Sequence, residues 1–226
     1  MMSDINLRYE LKMVFTALQL AEVRSWILSH SYAFRKAYPH RYVNNIYFDT
    51  SKWDMLGAHL DGVEKRAKVR YRWYGQTWSP SQGQIEIKHK QSNVGYKKQQ
   101  NCPDELLLNK SSWSVITQQL KAQSGKEFRE LFDFFIPVLI NRYRREYYVS
   151  ADNTIRVTLD YDMKAFAQTF SSKPNIKYEE PLRNNVVVEV KADQKYHHNV
   201  ADVLAELPLY SQQHSKYLNG LEYLWT

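Results

Sequence analysis

Residues 66–75 read RAKVRYRWYG, and this stretch decides the fold that the sequence predicts. Basic and apolar residues alternate strictly along it, in the order Arg66, Ala67, Lys68, Val69, Arg70, Tyr71, Arg72 and Trp73. A period of two residues is typical of a β-strand whose two faces differ. One face is apolar and aromatic, whereas the other carries four positive charges in a row. Like charges this close repel one another unless an anion lies among them.

Five further segments repeat the alternation, each with one charged face. The residues on these faces are Arg8, Glu10 and Lys12; Glu86, Lys88 and Lys90; Arg142, Arg144 and Glu146; Arg156, Thr158 and Asp160; and Glu189 and Lys191. Any one such strand is explained by an antiparallel sheet with one face in water. The set as a whole favours an anion-binding face over a merely hydrated one, because arginine recognises phosphate and the opposite faces are apolar throughout.

The pattern as a whole predicts an α+β fold, an antiparallel β-barrel tunnel with helices packed outside. Cations would line the interior, which must hold water and anions because unpaired buried charges are costly. Asp160 and Asp162 are interpreted as turn residues at a strand end, and Asp61 with Gly62 as a hairpin turn. Helices are predicted over residues 16–30, 103–133 (beginning at Pro103, with separate helices at 112–123 and 126–134), 196–206 and 215–224.

Composition narrows the class of protein. A length of 226 residues with 43% hydrophobic residues favours a single domain spanning 1–226. The net charge of +7 favours anionic partners. Nucleic acid is disfavoured, since stacking aromatics and cations lie on opposite strand faces. The single cysteine, Cys102, excludes an intrachain disulfide. With no apolar signal core, we expect a cytoplasmic protein, for which a membrane role would require a membrane-protein partner.

Nine segments in a fixed order carry a resemblance to a known family. They are RYELK (8–12), YFDT (47–50), LDGV (60–63), VRYRWYG (69–75), IEIKHK (85–90), NRYRREYY (141–148), IRVTLDYD (155–162), VVVEVKA (186–192) and HSKY (214–217). The set resembles the VTC domain, the polyphosphate polymerase domain named for the vacuolar transporter chaperone complex. That family belongs to the triphosphate tunnel metalloenzymes, related to the CYTH group, and this chain looks like its stand-alone bacterial form.

The resemblance implies a transferase that moves the γ-phosphate of ATP onto polyphosphate with Mn²⁺ or Mg²⁺. The catalytic residues that it implies are Lys12, Arg70, Arg72, Lys88, Arg142, Arg156 and Lys216. The substrate-binding residues that it implies are Arg8, Lys90, Lys97, Arg144, Lys191 and Ser215. The metal ligands that it implies are Glu189 and Glu10.

Several points stay open in the sequence. Glu10 is either a second metal ligand or a salt-bridge partner within the cationic lumen. Either Arg142 or Arg144 faces the tunnel centre, and pattern alone does not separate Lys97 from Lys98. Arg66 and Lys68 are interpreted as a positively charged tunnel mouth.

The first strand departs from the pattern of hydrolytic relatives. Relatives with triphosphatase activity open with ExExK, whereas Arg8 stands at the first position here. This difference favours a polymerase over a CYTH-type hydrolase. An inorganic triphosphatase on the same fold and a non-catalytic polyphosphate-binding subunit are the alternatives.

Overall fold

The computed structural model describes residues 8–91, 94–169, 171–180, 182 and 185–206. Within these residues the strands are β1 Arg8–Thr16, β2 Arg35–Thr50, β3 Lys65–Tyr74, β4 Gly83–Gln91, β5 Val94–Cys102, β6 Phe135–Val149, β7 Ile155–Ala167 and β8 Asn185–Asp193. The α-helices are α1 Leu20–Ser29, α2 Asp54–Leu60, α3 Trp113–Ala122, α4 Lys126–Leu131 and α5 His197–Ala205. Two 3₁₀ turns, Ala17–Gln19 and Gln194–Tyr196, precede α1 and α5.

The eight strands form one antiparallel sheet in the order β1-β8-β7-β6-β2-β3-β4-β5. The predicted α+β class is therefore confirmed. In the part of the chain that the structure describes, β1 and β5 are the ends of this order, so hydrogen bonds do not close the sheet.

The chain divides into two compact units that interleave along the sequence. The first unit takes the described residues of 1–41, 143–163 and 183–215, and the second those of 42–142, 164–182 and 216–226. Strands β2, β6 and β7 contribute residues to each unit. The single domain spanning 1–226 stays a prediction.

The core of the first unit lies on the apolar face of β1, β7 and β8. Met13, Leu159 and Val188 point to this face, and the side chains of α1 and α5 pack against it. Val23 of α1 and Val200 of α5 are both buried there. The alternation of apolar and charged residues in these strands thus leaves their other face to the charged side chains.

The core of the second unit lies on the apolar face of β3 and β4. Val69, Tyr71 and Trp73, the apolar half of the RAKVRYRWYG pattern, are all buried in it. Helices α3 and α4 cover this face through side chains that include Ile116 and Phe128. The predicted alternation of β3 is confirmed, and Arg70 and Arg72 are left on the other face.

Local sequence signals misplace two elements. No helix forms at Pro103; residues 103–112 are a loop in which Leu106 and Leu108 donate backbone hydrogen bonds to residues 80 and 78 and bury their side chains. Burial of these two leucines outweighs the helix-start signal at Pro103. The predicted hairpin turn at 61–62 is instead the end of α2, where Gly62 has the positive φ of +67° that glycine tolerates.

The remaining helices are close to their predicted positions. Ser112 caps α3 by accepting a hydrogen bond from the backbone N–H of Val115, which explains why the helix begins there. The predicted helix at 215–224 lies outside the described residues. None of the described helices is long and apolar enough to cross a membrane.

Candidate functional site

The charged face of the second unit is built by the register of β3, β4 and β5. The ladders pair Arg70 with Glu86, and they pair Lys88 with Lys68 on one side and with Lys97 on the other. Because neighbouring strands lie about 4.8 Å apart, paired side chains on one face lie within reach of each other.

Glu86 is the carboxylate at the centre of this face. Its Oε2 lies 2.5 Å from Arg70 Nη2 and 3.9 Å from Arg72 Nη1, and its Oε1 lies 3.0 Å from Lys97 Nζ. We call these four residues the Arg70 cluster. Burial alone would raise the pKa of Glu86, but Arg70, Arg72 and Lys97 outweigh it and lower the pKa to about 2. Within these four residues, three cations therefore share one carboxylate.

An amide pair fixes the orientation of Arg72. Its Nε donates to Asn45 Oδ1 at 2.9 Å, and Asn45 Nδ2 donates to Asn141 Oδ1 at 2.7 Å. Asn45 and Asn141 are buried. Neither amide was singled out from the sequence, where asparagine in a strand carries no specific signal. They hold Arg72 without neutralising it, so its charge stays available to an anion.

The structure separates Lys97 from Lys98. Lys97 joins the Arg70 cluster, whereas Lys98 pairs with Glu127 of α4. Lys88 and Lys90 are exposed on the strand that carries Glu86.

Arg142 lies on the opposite face from the Arg70 cluster. Its Nε donates to Asn44 Oδ1 at 2.6 Å, and its guanidinium lies 3.7 Å from the centroid of the Trp78 ring. Asn44 precedes Asn45, so the two side chains point to opposite faces of β2. The sequence leaves open whether Arg142 or Arg144 faces the tunnel centre, and Arg142 does not share the charged face of Arg70. The aromatic face accepts this guanidinium through a cation–π contact, and burial lowers its pKa.

The charged face of the first unit is built by β1, β7 and β8. The β1–β8 register pairs Lys12 with Glu189 and Glu10 with Lys191. Lys12 Nζ lies 2.5 Å from Glu10 Oε1 and 3.2 Å from Glu189 Oε1, while Lys191 Nζ lies 2.8 Å from Glu189 Oε2 and 3.7 Å from Glu10 Oε2. Each lysine thus bridges both carboxylates, and Glu10 is a salt-bridge partner here, whether or not it also holds metal.

Arg145 completes this group from β6. Its guanidinium forms two hydrogen bonds with the carboxylate of Asp160, at 2.5 and 2.7 Å, and Nη2 lies 3.6 Å from Glu189 Oε2. Asp160 is fully buried within β7, so its interpretation as a turn residue is wrong. We call Glu10, Lys12, Arg145, Asp160, Glu189 and Lys191 the Glu189 cluster.

The charged face of β6 was predicted to carry Arg142, Arg144 and Glu146, but the residue that joins the Glu189 cluster is Arg145, one position away from that set. Glu146 pairs with Arg24 of α1 at 2.7 Å, and Arg144 lies against Tyr161, with its Nη2 3.3 Å from His40 Nε2. The face that holds Arg145 is therefore not the one that holds Arg144 and Glu146. The segment RYRREYY misleads because both of its alternating sets contain arginine and tyrosine.

The register of the β6–β7 hairpin, which the strand pattern alone does not give, would have identified Arg145. The β6–β7 hairpin is closed by a backbone hydrogen bond from Ser150 N to Ile155 O. Counting five residues back from Ser150 and five forward from Ile155 brings Arg145 opposite Asp160. Opposite charges at facing positions of a hairpin indicate a pair.

The strand register places two further predicted site residues. Arg156 is exposed, and the register sets it opposite Lys191. Arg8 begins β1 opposite Asp193. Ser215 and Lys216 lie outside the described residues.

The Glu189 cluster fits a metal ion that shares its coordination shell with a substrate. The described residues contain no group of three or more His, Cys, Asp or Glu side chains that could hold a metal. Mg²⁺ is commonly held by one or two carboxylates together with phosphate oxygens and water, and Mn²⁺ also prefers oxygen ligands. Glu10 and Glu189 supply such a pair, although a metal would compete with Lys12 and Lys191. Burial alone would raise the pKa of Glu189, but Lys191, Lys12 and Arg145 outweigh it and lower the pKa well below its usual range.

The two clusters differ in charge balance. Three cations face three carboxylates in the Glu189 cluster, whereas the Arg70 cluster has an excess of cations. The Arg70 cluster therefore suits a bare anion. The balanced Glu189 cluster suits a metal and an anion together, whose charges offset each other.

Comparison with known proteins agrees with the fold. Three solved structures resemble this chain. A proposed adenylyl cyclase from Hippeastrum, described as having a dominant triphosphatase activity, matches with a TM-score of 0.59 and 13% identity over 96% of each chain. A proposed adenylate cyclase from Bacillus halodurans matches with a TM-score of 0.58 and 12% identity over 98% of each chain, and one from Vibrio parahaemolyticus matches with a TM-score of 0.52 and 10% identity over 96% of this chain and 98% of that one. At these identities the likeness concerns the fold alone. A search of curated proteins finds no match to the sequence.

The family is shown by the sequence itself. A model of the VTC domain matches residues 7–225, a range that includes both clusters and all nine segments quoted above. The fold seen in the solved structures is consistent with that match. The chain therefore belongs to the VTC domain family.

Proposed function

We propose that this protein is a metal-dependent polyphosphate polymerase that uses ATP. The observation that carries the proposal is the Arg70 cluster, in which three cations surround one carboxylate. This cluster lies within the range 7–225 that matches the VTC domain. Polyphosphate and the triphosphate of ATP are both linear polyanions. Arginine and lysine side chains suit them, because charge-assisted hydrogen bonds to phosphate are among the strongest that proteins form.

The chemistry is a phosphoryl transfer between two phosphate chains. A terminal oxygen of polyphosphate forms a bond to the γ-phosphorus of ATP, the bond from that phosphorus to the β–γ bridging oxygen breaks, and ADP leaves with the electron pair. The attacking oxygen already carries a negative charge near neutral pH. A general base is therefore not required, in contrast to transfer to an alcohol.

Arg70, Arg72 and Lys97 are assigned to the phosphate oxygens. Negative charge spreads over the equatorial oxygens in the transition state, and preorganised cations stabilise it. Glu86 and Asn45 hold the two guanidinium groups in place before substrate arrives. Lys88 and Lys90 would add positive charge along β4.

Glu189, with Glu10, is assigned to Mn²⁺ or Mg²⁺. When bound, the ion would supply charge neutralisation on the phosphates. Lys12 and Lys191 contact both carboxylates, and Arg145 approaches that of Glu189, so these three cations fix the orientation of the pair. Arg8, Arg156, Ser215 and Lys216 retain the roles that the family resemblance implies.

An inorganic triphosphatase is the second candidate function. The same cations would bind triphosphate, and water would replace polyphosphate as the acceptor. The Hippeastrum structure, described by a dominant triphosphatase activity, shares the fold and favours this candidate. A subunit that binds polyphosphate without catalysis is the third.

One experiment separates the three candidates. Purified protein is incubated with ATP and Mn²⁺, with and without a polyphosphate primer, and the products are examined on a gel stained for polyphosphate and assayed for free phosphate. Long chains support the polymerase. Phosphate release from triphosphate without chains supports the hydrolase, and tight polyphosphate binding with neither product supports the binding subunit.

A further inference from the structure

Tyr38 of β2 is a tyrosine that lies largely in water, with 63% of the residue exposed. A single exposed tyrosine is common on protein surfaces and needs no functional explanation. Tyr38 differs because a second ring holds it in place. The rings of Tyr38 and Tyr147 lie 5.8 Å apart between centroids, at an interplanar angle of 90°. This T-shaped contact orients the Tyr38 ring and leaves most of its surface open to a ligand.

Tyr147 is itself held by two arginines. Arg41 Nε donates a hydrogen bond to Tyr147 Oη at 3.1 Å, and the Arg41 guanidinium lies 5.0 Å from the centroid of the ring. The guanidinium of Arg145 lies 6.0 Å from the same centroid. These contacts restrain Tyr147 before any ligand arrives, so little freedom is lost when a ligand binds to its neighbour. We call Tyr38 and Tyr147 the Tyr38 platform.

The Tyr38 platform lies on the face of β6 that carries Arg145. Residues two apart on a strand point to the same face, so Tyr147 shares the face of Arg145, and Tyr38 reaches that face through its contact with Tyr147. Arg145 in turn belongs to the Glu189 cluster, with its Nη2 3.6 Å from Glu189 Oε2. All four residues belong to the first compact unit. A continuous series of contacts therefore runs from the carboxylate assigned to metal to the Tyr38 ring.

The chemistry of the platform suits a nucleobase better than a phosphate chain. The face of an aromatic ring carries partial negative charge, so it does not attract the oxygens of an inorganic polyphosphate. Every nucleobase has a flat π face that stacks on aromatic side chains. In ATP the base lies at the opposite end of the molecule from the γ-phosphate. A nucleotide whose phosphates share the metal at Glu189 can therefore extend past Arg145 and place its base on Tyr38.

We propose that Tyr38, oriented by Tyr147, stacks on the base of ATP and so selects a nucleoside triphosphate over inorganic triphosphate as the phosphate donor. The inference rests on the proposed function, because it places the phosphates of ATP on the metal assigned to Glu189. It deepens that function by naming the residue that recognises the donor. Tyr38 contacts no reacting atom, so its loss weakens donor binding and leaves the transfer step unchanged.

The test compares two ligands that differ by the nucleoside. Dissociation constants for the β,γ-imido analogue of ATP and for diimidotriphosphate, which resist cleavage, are determined by titration calorimetry in the presence of Mn²⁺. The proteins are the wild type, Tyr38→Ala and Tyr38→Phe. The matched control is Tyr178→Ala, which removes a tyrosine that is 80% exposed in the other compact unit. Thermal melts establish that each variant is folded.

We expect Tyr38→Ala to weaken binding of the ATP analogue about tenfold, given the worth of stacking one base on one aromatic side chain. Binding of diimidotriphosphate should change by about twofold or less. Tyr38→Phe should bind both ligands as the wild type does, because it keeps the ring and loses only the hydroxyl. Tyr178→Ala should change neither constant. In the polymerase assay, Tyr38→Ala should raise the KM for ATP about tenfold and leave kcat within about twofold.

Three outcomes would overturn the platform. They are equal weakening of both ligands by Tyr38→Ala, unchanged binding of the ATP analogue by that variant, and a Tyr38→Phe variant that binds as weakly as Tyr38→Ala. The fate of the polymerase is separate. A wild type whose binding of the ATP analogue depends on Tyr38 but which makes no polymer would overturn the polymerase and leave the platform standing. Polymer synthesis with an unchanged KM in Tyr38→Ala would do the reverse.

Discussion

Arg70 and Glu86 face each other across the β3–β4 ladder, and their side chains form an ion pair with Nη2 and Oε2 2.5 Å apart. The pair does not neutralise its surroundings, since Glu86 also contacts Lys97 at 3.0 Å and lies 3.9 Å from Arg72. One buried carboxylate therefore contacts three cations and holds them in position. Removing the charge of that carboxylate shows how much this ion pair contributes to the stability of the fold.

The first prediction concerns the pH dependence of stability. The pKa of Glu86 is about 2 in the folded protein against an ordinary value of 4.5, so the folded state favours the ionised form. This contribution is fully present above pH 4.5 and is lost as pH falls toward 2. Glu86→Gln removes it, and we expect the variant to be about 3 kcal/mol less stable than the wild type at pH 7.

Urea denaturation at a series of pH values checks this expectation. The difference in free energy of unfolding between the wild type and Glu86→Gln should narrow to less than half between pH 7 and pH 3. A difference that stays constant over this range would show that the charge of Glu86 does not stabilise the fold. Glu127→Gln, which alters an exposed carboxylate paired with Lys98, is the matched control and should show little pH dependence.

The second prediction separates two arginines that the sequence treats alike. Arg70→Ala removes a cation from the Arg70 cluster, and we expect the polymerase rate to fall by roughly 10²–10³-fold, as on loss of an oxyanion donor. Arg142→Ala removes a guanidinium stacked on Trp78 on the other face, and we expect a lower melting temperature with a rate within about threefold of the wild type.

Rates and thermal melts of the two variants are measured side by side. Arg142→Lys, which keeps the charge but loses the planar stack, should melt like Arg142→Ala. A rate for Arg142→Ala as low as that of Arg70→Ala would return Arg142 to the phosphate site and contradict the geometry.

Which strand faces could be predicted from the sequence depends on how clearly apolar and charged residues alternate in each strand. The alternation in RAKVRYRWYG has one apolar set and one basic set, so it fixed which face of β3 carries Arg70 and Arg72. In RYRREYY both sets contain arginine and tyrosine, and Arg145 was missed because only contacts across strands distinguish the sets. Glu86 stood on the predicted charged face, but its role as the centre of the cluster depends on register, which a single strand does not contain.

The third prediction concerns the buried pair of Arg145 and Asp160. Arg145→Met leaves the Asp160 carboxylate buried without its bidentate partner, and we expect a loss of roughly 3–5 kcal/mol in stability. The double variant Arg145→Met/Asp160→Leu should recover most of that loss, because an apolar pair of similar volume needs no charge compensation.

A double-mutant cycle by urea denaturation measures the coupling between the two residues. Additive losses from the single variants would show that the pair is not a unit. Because Arg145 also approaches Glu189, the double variant tests function as well. If the double variant is as stable as the wild type but needs more metal for activity, Arg145 also positions Glu189.

The last prediction tests the assignment of Glu189 to metal. Glu189→Gln removes the anionic charge that a divalent ion needs, and we expect the Mn²⁺ concentration for half-maximal activity to rise about tenfold or more. Glu146→Gln is the matched control in the same unit, since it removes the charge of a buried carboxylate that is paired with Arg24 on the opposite face. That control should lower stability and leave the Mn²⁺ requirement unchanged, because Glu146 faces α1 and not the Glu189 cluster. Equilibrium dialysis with Mn²⁺ and tripolyphosphate gives the same comparison without turnover. Equal Mn²⁺ binding by Glu189→Gln and Glu146→Gln would leave Glu189 as a structural partner of Lys12 and Lys191 and would remove the metal from this cluster.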